Sequence, residues 1–323
     1  MNNCSAIDRS STDYCGWQVI TNCSSIKRRS DEAISPLIGS RSLGELCDSW
    51  VTKIRQASSR KKVKDTYGGR SFVEAVAASG RLGAELHVLS AGLGLVHEDD
   101  EIPNYNLTVS KGEGSIADWL EWKEKSPADW WDSLNRKLER PHPILRLVEK
   151  ARGVILVLPS TYLQMILPEL LMIPESDREK LLVITSPSGR YKIHRSLYSR
   201  CLPYDERLDG ATKYKGTRND FPHRALKHLV DEVDFKSLST AATQRAVLDF
   251  LDRHSKPTVP ARRRLDDHQI KQIIKKNWQA YFGKRNSLHR FLRDEALVAC
   301  EQKRFGTLWN QVKQDISRNR ENL

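Results

Sequence analysis

Short apolar runs alternate along this chain with longer segments in which apolar residues recur every three or four positions. The runs fall at 17–21 (Trp-Gln-Val-Ile-Thr), 86–89, 154–158 (Val-Ile-Leu-Val-Leu) and 181–184 (Leu-Leu-Val-Ile). Runs this short, rich in β-branched residues and leucine, predict strands, and their near-continuous apolar character fits burial on both faces. Helical spacing predicts helices over 43–56, 71–79, 116–138, 143–151 and 240–251, with a further helix opening at Thr217–Pro222. The stretch 204–216 reads as loop. Strands alternating with helices predict an α/β fold, a mostly parallel sheet covered by helices.

Each predicted strand runs into a short polar stretch rich in small, hydroxylated residues: Asn22-Cys23-Ser24-Ser25, Ser90-Ala91-Gly92, Pro159-Ser160-Thr161-Tyr162 and Thr185-Ser186-Pro187-Ser188-Gly189. In an open α/β sheet, ligands sit beyond the carboxyl ends of the strands. The stretch 85–106 carries the richest set of polar groups. Its strand ends at Ser90-Ala91-Gly92, and the carboxylates Glu98-Asp99-Asp100-Glu101 and the triplet Asn104-Tyr105-Asn106 follow. It is expected to floor a pocket for a small molecule or a nucleobase.

Two prolines between 255 and 260 mark a linker, so the chain is read as an α/β domain over 1–254 and a small helical domain over 255–323. Three helix-like segments, 266–281, 287–299 and 300–316, place Ile270, Ile274, Leu288, Leu292, Phe305 and Leu308 for a three-helix core. Asp266 and Asp267 put negative charge at the first helix start, and Ser287 is the expected N-cap of the second. The outline resembles a helix-turn-helix module.

Charge changes the picture. The chain carries 53 Lys+Arg against 41 Asp+Glu, a net +12, and residues 255–323 hold 16 Lys+Arg against 7 Asp+Glu, or +9. Charge so localised predicts a nucleic-acid partner. Arg262, Arg263, Arg264, Lys284 and Arg285 are the tail cations expected to meet DNA, with Lys27 and Arg28 after the first strand.

Several chemistries are unsupported. No run approaches the roughly 20 apolar residues of a membrane helix, and neither the P-loop nor the dinucleotide glycine pattern occurs. The nine histidines and six cysteines are scattered, so no metal, no cofactor and no disulfide framework is expected, and a reducing cytoplasm fits. Cys23 has no histidine placed by sequence to activate it, and Lys27 is a candidate for a Schiff base with an opened sugar. Trp119, Trp122, Trp130 and Trp131 either wall a pocket or pack in the core. Arg218-Asn219-Asp220 either meets phosphate or caps a helix.

The order of motifs then resembles a known family. Trp17-Gln-Val-Ile-Thr-Asn-Cys-Ser-Ser-Ile-Lys-Arg28, Tyr67-Gly-Gly-Arg-Ser-Phe72, Leu89-Ser-Ala-Gly-Leu-Gly-Leu95 and Pro103-Asn-Tyr-Asn106 resemble a bacterial α/β family distantly related to peroxide-stress proteins and uracil-DNA-glycosylase-like domains. Cys201-Leu-Pro-Tyr-Asp-Glu-Arg207, Gly216-Thr-Arg-Asn-Asp-Phe-Pro222 and Ala299-Cys-Glu-Gln-Lys-Arg-Phe305 extend the likeness. Within this group the chain looks most like anti-phage DNA glycosylases that excise α-glucosyl-hydroxymethylcytosine. The resemblance implies a uracil-DNA-glycosylase-like fold and base flipping from double-stranded phage DNA, leaving abasic sites, without a membrane or cofactor. It places Asn22, Ser24, Ser90, Tyr105 and Asn106 in the pocket. The residues themselves add Gly92, where backbone is expected to approach the substrate, and Asp100, the loop carboxylate expected to help Asn106 hold water or sugar. The water-activating Gly-Gln-Asp-Pro-Tyr of uracil glycosylases is absent, and Ser186-Pro187-Ser188 only loosely echoes their His-Pro-Ser. A base-exchanging transglycosylase or nucleotide glycosidase, and a non-enzymatic DNA-binding stress protein, are the competing readings.

Overall fold

The computed structural model describes residues 16–36, 39–258 and 260–321. The chain divides into two compact units, 1–257 and 258–323, each with its own apolar core.

In the first unit the strands, in chain order, are β1 (Trp17–Asn22), β2 (Arg60–Lys62), β3 (Glu85–Ser90), β4 (Gly94–His97), β5 (Glu101–Pro103), β6 (Gly153–Val157) and β7 (Leu181–Ile184). Five of them form one sheet in the order β4-β3-β1-β6-β7. The pairs β3–β1, β1–β6 and β6–β7 are parallel, and β4 returns antiparallel on β3. Every residue of β6 and β7 is buried, as strands covered by helices on both faces require. A buried Gln18–His87 hydrogen bond of 2.8 Å joins β1 to β3. The protein is therefore mixed α/β with a mostly parallel central sheet.

Parallel neighbours need crossovers, and the connections from β1 to β3 and from β6 to β7 carry helices that cover the sheet. Helices Arg70–Leu82 and Phe221–Glu232 pack on each other and against the sheet, while Leu43–Gln56, Pro127–Lys137 and Ser160–Met172 pack in series. Local chemistry fixes their starts. Ser42 accepts from the Glu45 amide, and Ser126 and Asp129 close a capping box ahead of Pro127. That box explains why 116–138 is two helices rather than one. The chain stops at Trp122, passes through Glu124 at φ 53°, and restarts.

The tryptophans are structural. Trp119, Trp130 and Trp131 are buried and Trp122 is 70% exposed. The Trp130 indole donates to the Ala91 carbonyl at 2.7 Å and that of Trp131 to the buried Glu169 carboxylate at 2.7 Å.

The second unit comprises β8 (Arg263–Arg264) and β9 (Val298–Ala299), which pair in parallel, and helices Asp267–Asn277, Arg285–Asp294 and Gln302–Glu321. Asp266 and Gln269 form a capping box. Ser287 is not the N-cap expected from sequence: Lys284 holds that position and Ser287 lies inside the helix. The helix also ends before 299, because the chain turns at Leu297 (φ 52°) into β9. Among the described residues no helix is long and apolar enough to cross a membrane.

Candidate functional site

The chain leaves β1 toward β3 and leaves the adjacent β6 toward β7, so the connections diverge between them. Such a switch point opens a crevice at the carboxyl edge of the sheet. A cavity of about 1140 Å³ lies there, above the roughly 300–1,000 Å³ common for ligand pockets. Its wall takes Asn22 to Ser25 and Lys27 from the turn after β1, Ser160 and Tyr162 from beyond β6, and Ser186 and Ser188 from beyond β7. Asn104 to Thr108, the loop 110–113 and the segment from Arg218 to His223 complete it.

Three helices begin at this wall. Ser71, Ser160 and Pro222 lie in the first turns of Arg70–Leu82, Ser160–Met172 and Phe221–Glu232. Helix starts expose unpaired N–H groups and the positive end of the dipole, which favours anions. Lys27, Lys111 and Arg218 add full positive charges.

Beneath the cavity runs a chain of hydroxyls. Ser90 Oγ accepts from the Gly92 and Leu93 amides at 3.1 Å and pairs with the Tyr105 phenol at 2.6 Å, and that phenol meets Tyr67 at 2.5 Å. Burial pushes both phenols far up, so they stay protonated. The Lys27 ammonium sits 4.4 Å from the Tyr105 ring centre, and burial lowers its pKa. Beside it the Cys23 thiol contacts the Tyr162 hydroxyl at 3.1 Å.

At the far wall, His223 shares a 2.7 Å hydrogen bond with Thr21 Oγ1. Its Nδ1 has no partner among the described residues although the side chain is buried. Burial holds its pKa down to about 4, so the imidazole is neutral at pH 7.

Asn106 is fixed by its amide, which donates to the Ile34 carbonyl at 2.8 Å. The loop then folds back on itself through Thr108 N to Gly114 O at 3.0 Å and Ile116 N to Thr108 O at 2.9 Å. Gly114 has φ 70°, and a Cβ there would strike the Asn106 side chain and carbonyl; only glycine lets the loop close so tightly. The return brings Glu113 to the cavity, where it supplies a carboxylate.

The structure thus gathers Asn22, Ser24, Lys27, Tyr105 and Asn106 at one cavity and leaves out other residues expected there. Ser90 is fully buried beneath Tyr105. Gly92 is a packing glycine: a Cβ would lie 2.8 Å from the Tyr105 ring. Asp100 is displaced by the reversal at β4, which carries the chain back until His97 faces His87. There Asp100 accepts from the His97 amide at 2.8 Å, a turn at the opposite end of β3. The stretch 85–100 is consequently a hairpin, not a pocket floor. Arg28 is exposed outside the cavity, its amide bonded to Thr66. Tyr105 lines the cavity but is only 1% exposed, with Lys27 over its ring, so a base stacks there only if Lys27 moves.

Sequence reasoning missed Glu113, His223 and Ser71, whereas Ser160 and Tyr162 lie in a strand-end stretch it marked as rim. Gly112 and Gly114 flanking Glu113 were a usable signal for a tight loop. His223, one residue after a helix-opening proline, carried none without the strand order.

Arg218 and Asn219 are presented by a buried arginine. Arg224 donates to Asp220 at 2.7 Å, Asp209 at 2.6 Å, and the carbonyls of Tyr214 and Thr217 at 2.5 and 2.7 Å. Asp220 occupies the N-cap position, yet its carboxylate serves Arg224 and the Thr217 amide instead of capping the helix.

In the second unit Arg262 is paired with Asp294, and Arg263 donates to the Ala296 carbonyl at 3.5 Å. Arg285 packs on Gly306, and Arg264 and Lys284 are exposed. No protein-family model, no curated protein and no solved structure matches the chain, so its function is argued from the chemistry of the cavity and its charge.

Proposed function

We propose that the protein is a DNA N-glycosylase with a uracil-DNA-glycosylase-like arrangement, which flips a glucosylated, hydroxymethylated cytosine out of phage DNA and excises it. The observation that carries this reading is the cavity at the switch point, where helix starts and cations favouring phosphate meet Asn22, Ser24 and Asn106. Flipping costs a few kcal/mol of unstacking, and contacts along the backbone offset it. The cavity's size suits a base enlarged by a sugar.

Cleavage builds positive charge on the deoxyribose as the base departs. Asn106 orients the attacking water, and Glu113, in place of Asp100, stabilises the cationic sugar and accepts the water's proton. The polar edges of Asn22 and Ser24 hold the base. His223, neutral and with a free nitrogen, bonds the leaving group or the sugar. The same cavity suits a free nucleotide, which would make the protein a nucleotide glycosidase or base exchanger. The basic unit 258–323 favours a polymer.

The test is incubation of purified protein with phage DNA carrying glucosylated hydroxymethylcytosine and with the same DNA unmodified, followed by alkali. Breaks confined to the modified DNA, without added free base, are the expected result. Intact DNA in both arms removes the glycosylase reading, and dependence on a replacement base selects exchange.

A further inference from the structure

Lys27 differs from the other cavity cations in its surroundings. Its backbone forms an antiparallel bridge with Tyr67, flanked by Arg28 N to Thr66 O at 2.7 Å and Gly68 N to Ile26 O at 2.8 Å. The root of the side chain is therefore tied to the turn that opens helix Arg70–Leu82. Its Nζ lies 4.4 Å from the Tyr105 ring centre and 5.9 Å from that of Tyr67. The phenol oxygens of both rings are engaged with each other and with Ser90, so the rings meet the amine with their faces. Lys62, Lys64, Lys137, Lys180 and Lys213 each hold a carboxylate. Lys27 makes no such pair among the described residues.

A half-buried amine on an aromatic floor, without a counter-ion and open to a cavity, suits a nucleophile better than a phosphate clamp. Burial lowers its pKa, which raises the share of neutral amine. We propose that Lys27 forms a Schiff base with the sugar left after base loss, giving the protein a second activity, strand cleavage at abasic sites. This rests on the glycosidase reading of the same cavity.

The step balances without an oxidant. The abasic sugar opens to an aldehyde, the Nζ lone pair adds to C1′, and the carbonyl oxygen leaves as water, giving an iminium between C1′ and Nζ. The iminium acidifies C2′, whose proton passes to water. The electron pair released forms a C2′–C3′ double bond and expels the 3′-phosphate with the electrons of the C3′–O bond. Water then hydrolyses the conjugated imine and frees Lys27.

The test supplies the abasic site ready-made, so it is independent of base excision. Full-length protein is mixed with a duplex bearing one preformed abasic site, with and without sodium borohydride. With borohydride, a covalent protein–DNA adduct mapping by mass to Lys27 is expected; without it, a strand break ending in a 3′-unsaturated aldehyde. K27R keeps the charge and is expected to bind the duplex but give neither adduct nor break. An absent wild-type adduct, an adduct at wild-type level in K27R, or one mapping to another amine overturns the proposal. Trapping on the preformed site without excision of modified cytosine would overturn only the glycosylase reading.

Discussion

Asn106 is half-exposed on a loop whose closure depends on a glycine, and it shares the cavity with the Glu113 carboxylate. Neither side chain supports the core. Asn106→Ala and Glu113→Gln are therefore expected to slow abasic-site formation by about 10²- to 10⁴-fold, the range for loss of a positioned acid–base or water-holding group. Duplex affinity measured by anisotropy should barely change. Wild-type rates in either variant would remove that residue from the mechanism. His223 belongs to a different class, since burial dictates its state. Its pKa is held at about 4 from an ordinary 6.5, so the unfolded chain binds the extra proton between those values. Stability is therefore complete above pH 6.5 and falls as pH drops toward 4, on the order of 3 kcal/mol for this one side chain. His87, held at about 3, and His228, held at about 4, add in the same direction. Urea midpoints at pH 7, 5.5 and 4.5 should fall steadily, and less steeply in His223→Gln. A flat profile would mean that the histidines are not buried neutral.

At the scale of elements, the segment bearing Arg218 and Asn219 is anchored by Arg224, which pairs with Asp220 and Asp209; the side chains of Arg224 and Asp220 are 3% and 5% exposed. Without Arg224 the buried Asp220 carboxylate keeps only its longer ion pair to the exposed Arg70, so Arg224→Met is expected to cost about 3 kcal/mol. Urea unfolding measures this, and a change below about 1 kcal/mol would contradict the anchoring role. The elements legible in the sequence were those whose apolar period is local. Helices Leu43–Gln56 and Thr240–Leu251 and strand β7 have the bounds that spacing alone gives, because caps and buried faces lie within one stretch of chain. The reversal at β4 was not legible. Gly94-Leu-Val-His97 is too short for a period, and its direction is set by pairing with β3. That one turn carries Asp100 away from the cavity, whose wall takes its carboxylate from Glu113 instead. Ser90 and Gly92 were misplaced for a related reason. Small residues ending a strand suit a rim or a packing contact equally, and only Tyr105 and Trp50 lying on Gly92 tell which.

For the whole molecule, the question is what the second unit adds. Its core is separate, built on Ile270, Leu288, Leu292, Phe305 and Leu308. Two sets among its cations differ in what holds them. Arg262, Arg304 and Lys275 are engaged with Asp294, Asp267 and Asp315. Arg264, Lys276, Lys284, Arg290 and Arg293 are exposed, and no ion pair holds them among the described residues. Only cations free to shed their own hydration and displace condensed counterions contribute fully to salt-dependent DNA binding. If the second set contacts phosphate, the slope of log affinity against log salt should fall by about 0.9 per cation removed. Lys284→Ala with Arg290→Ala is therefore expected to reduce the slope by about 2, without altering the urea midpoint. Arg262→Ala with Arg304→Ala should change the slope less, because cations already held by Asp294 and Asp267 displace fewer counterions from the DNA. Titrating a labelled duplex from low to high salt separates the two pairs. Equal slopes for both double variants would place the DNA on another surface, and an unchanged slope in both would leave the positive charge of this unit as a solubility feature rather than a footprint.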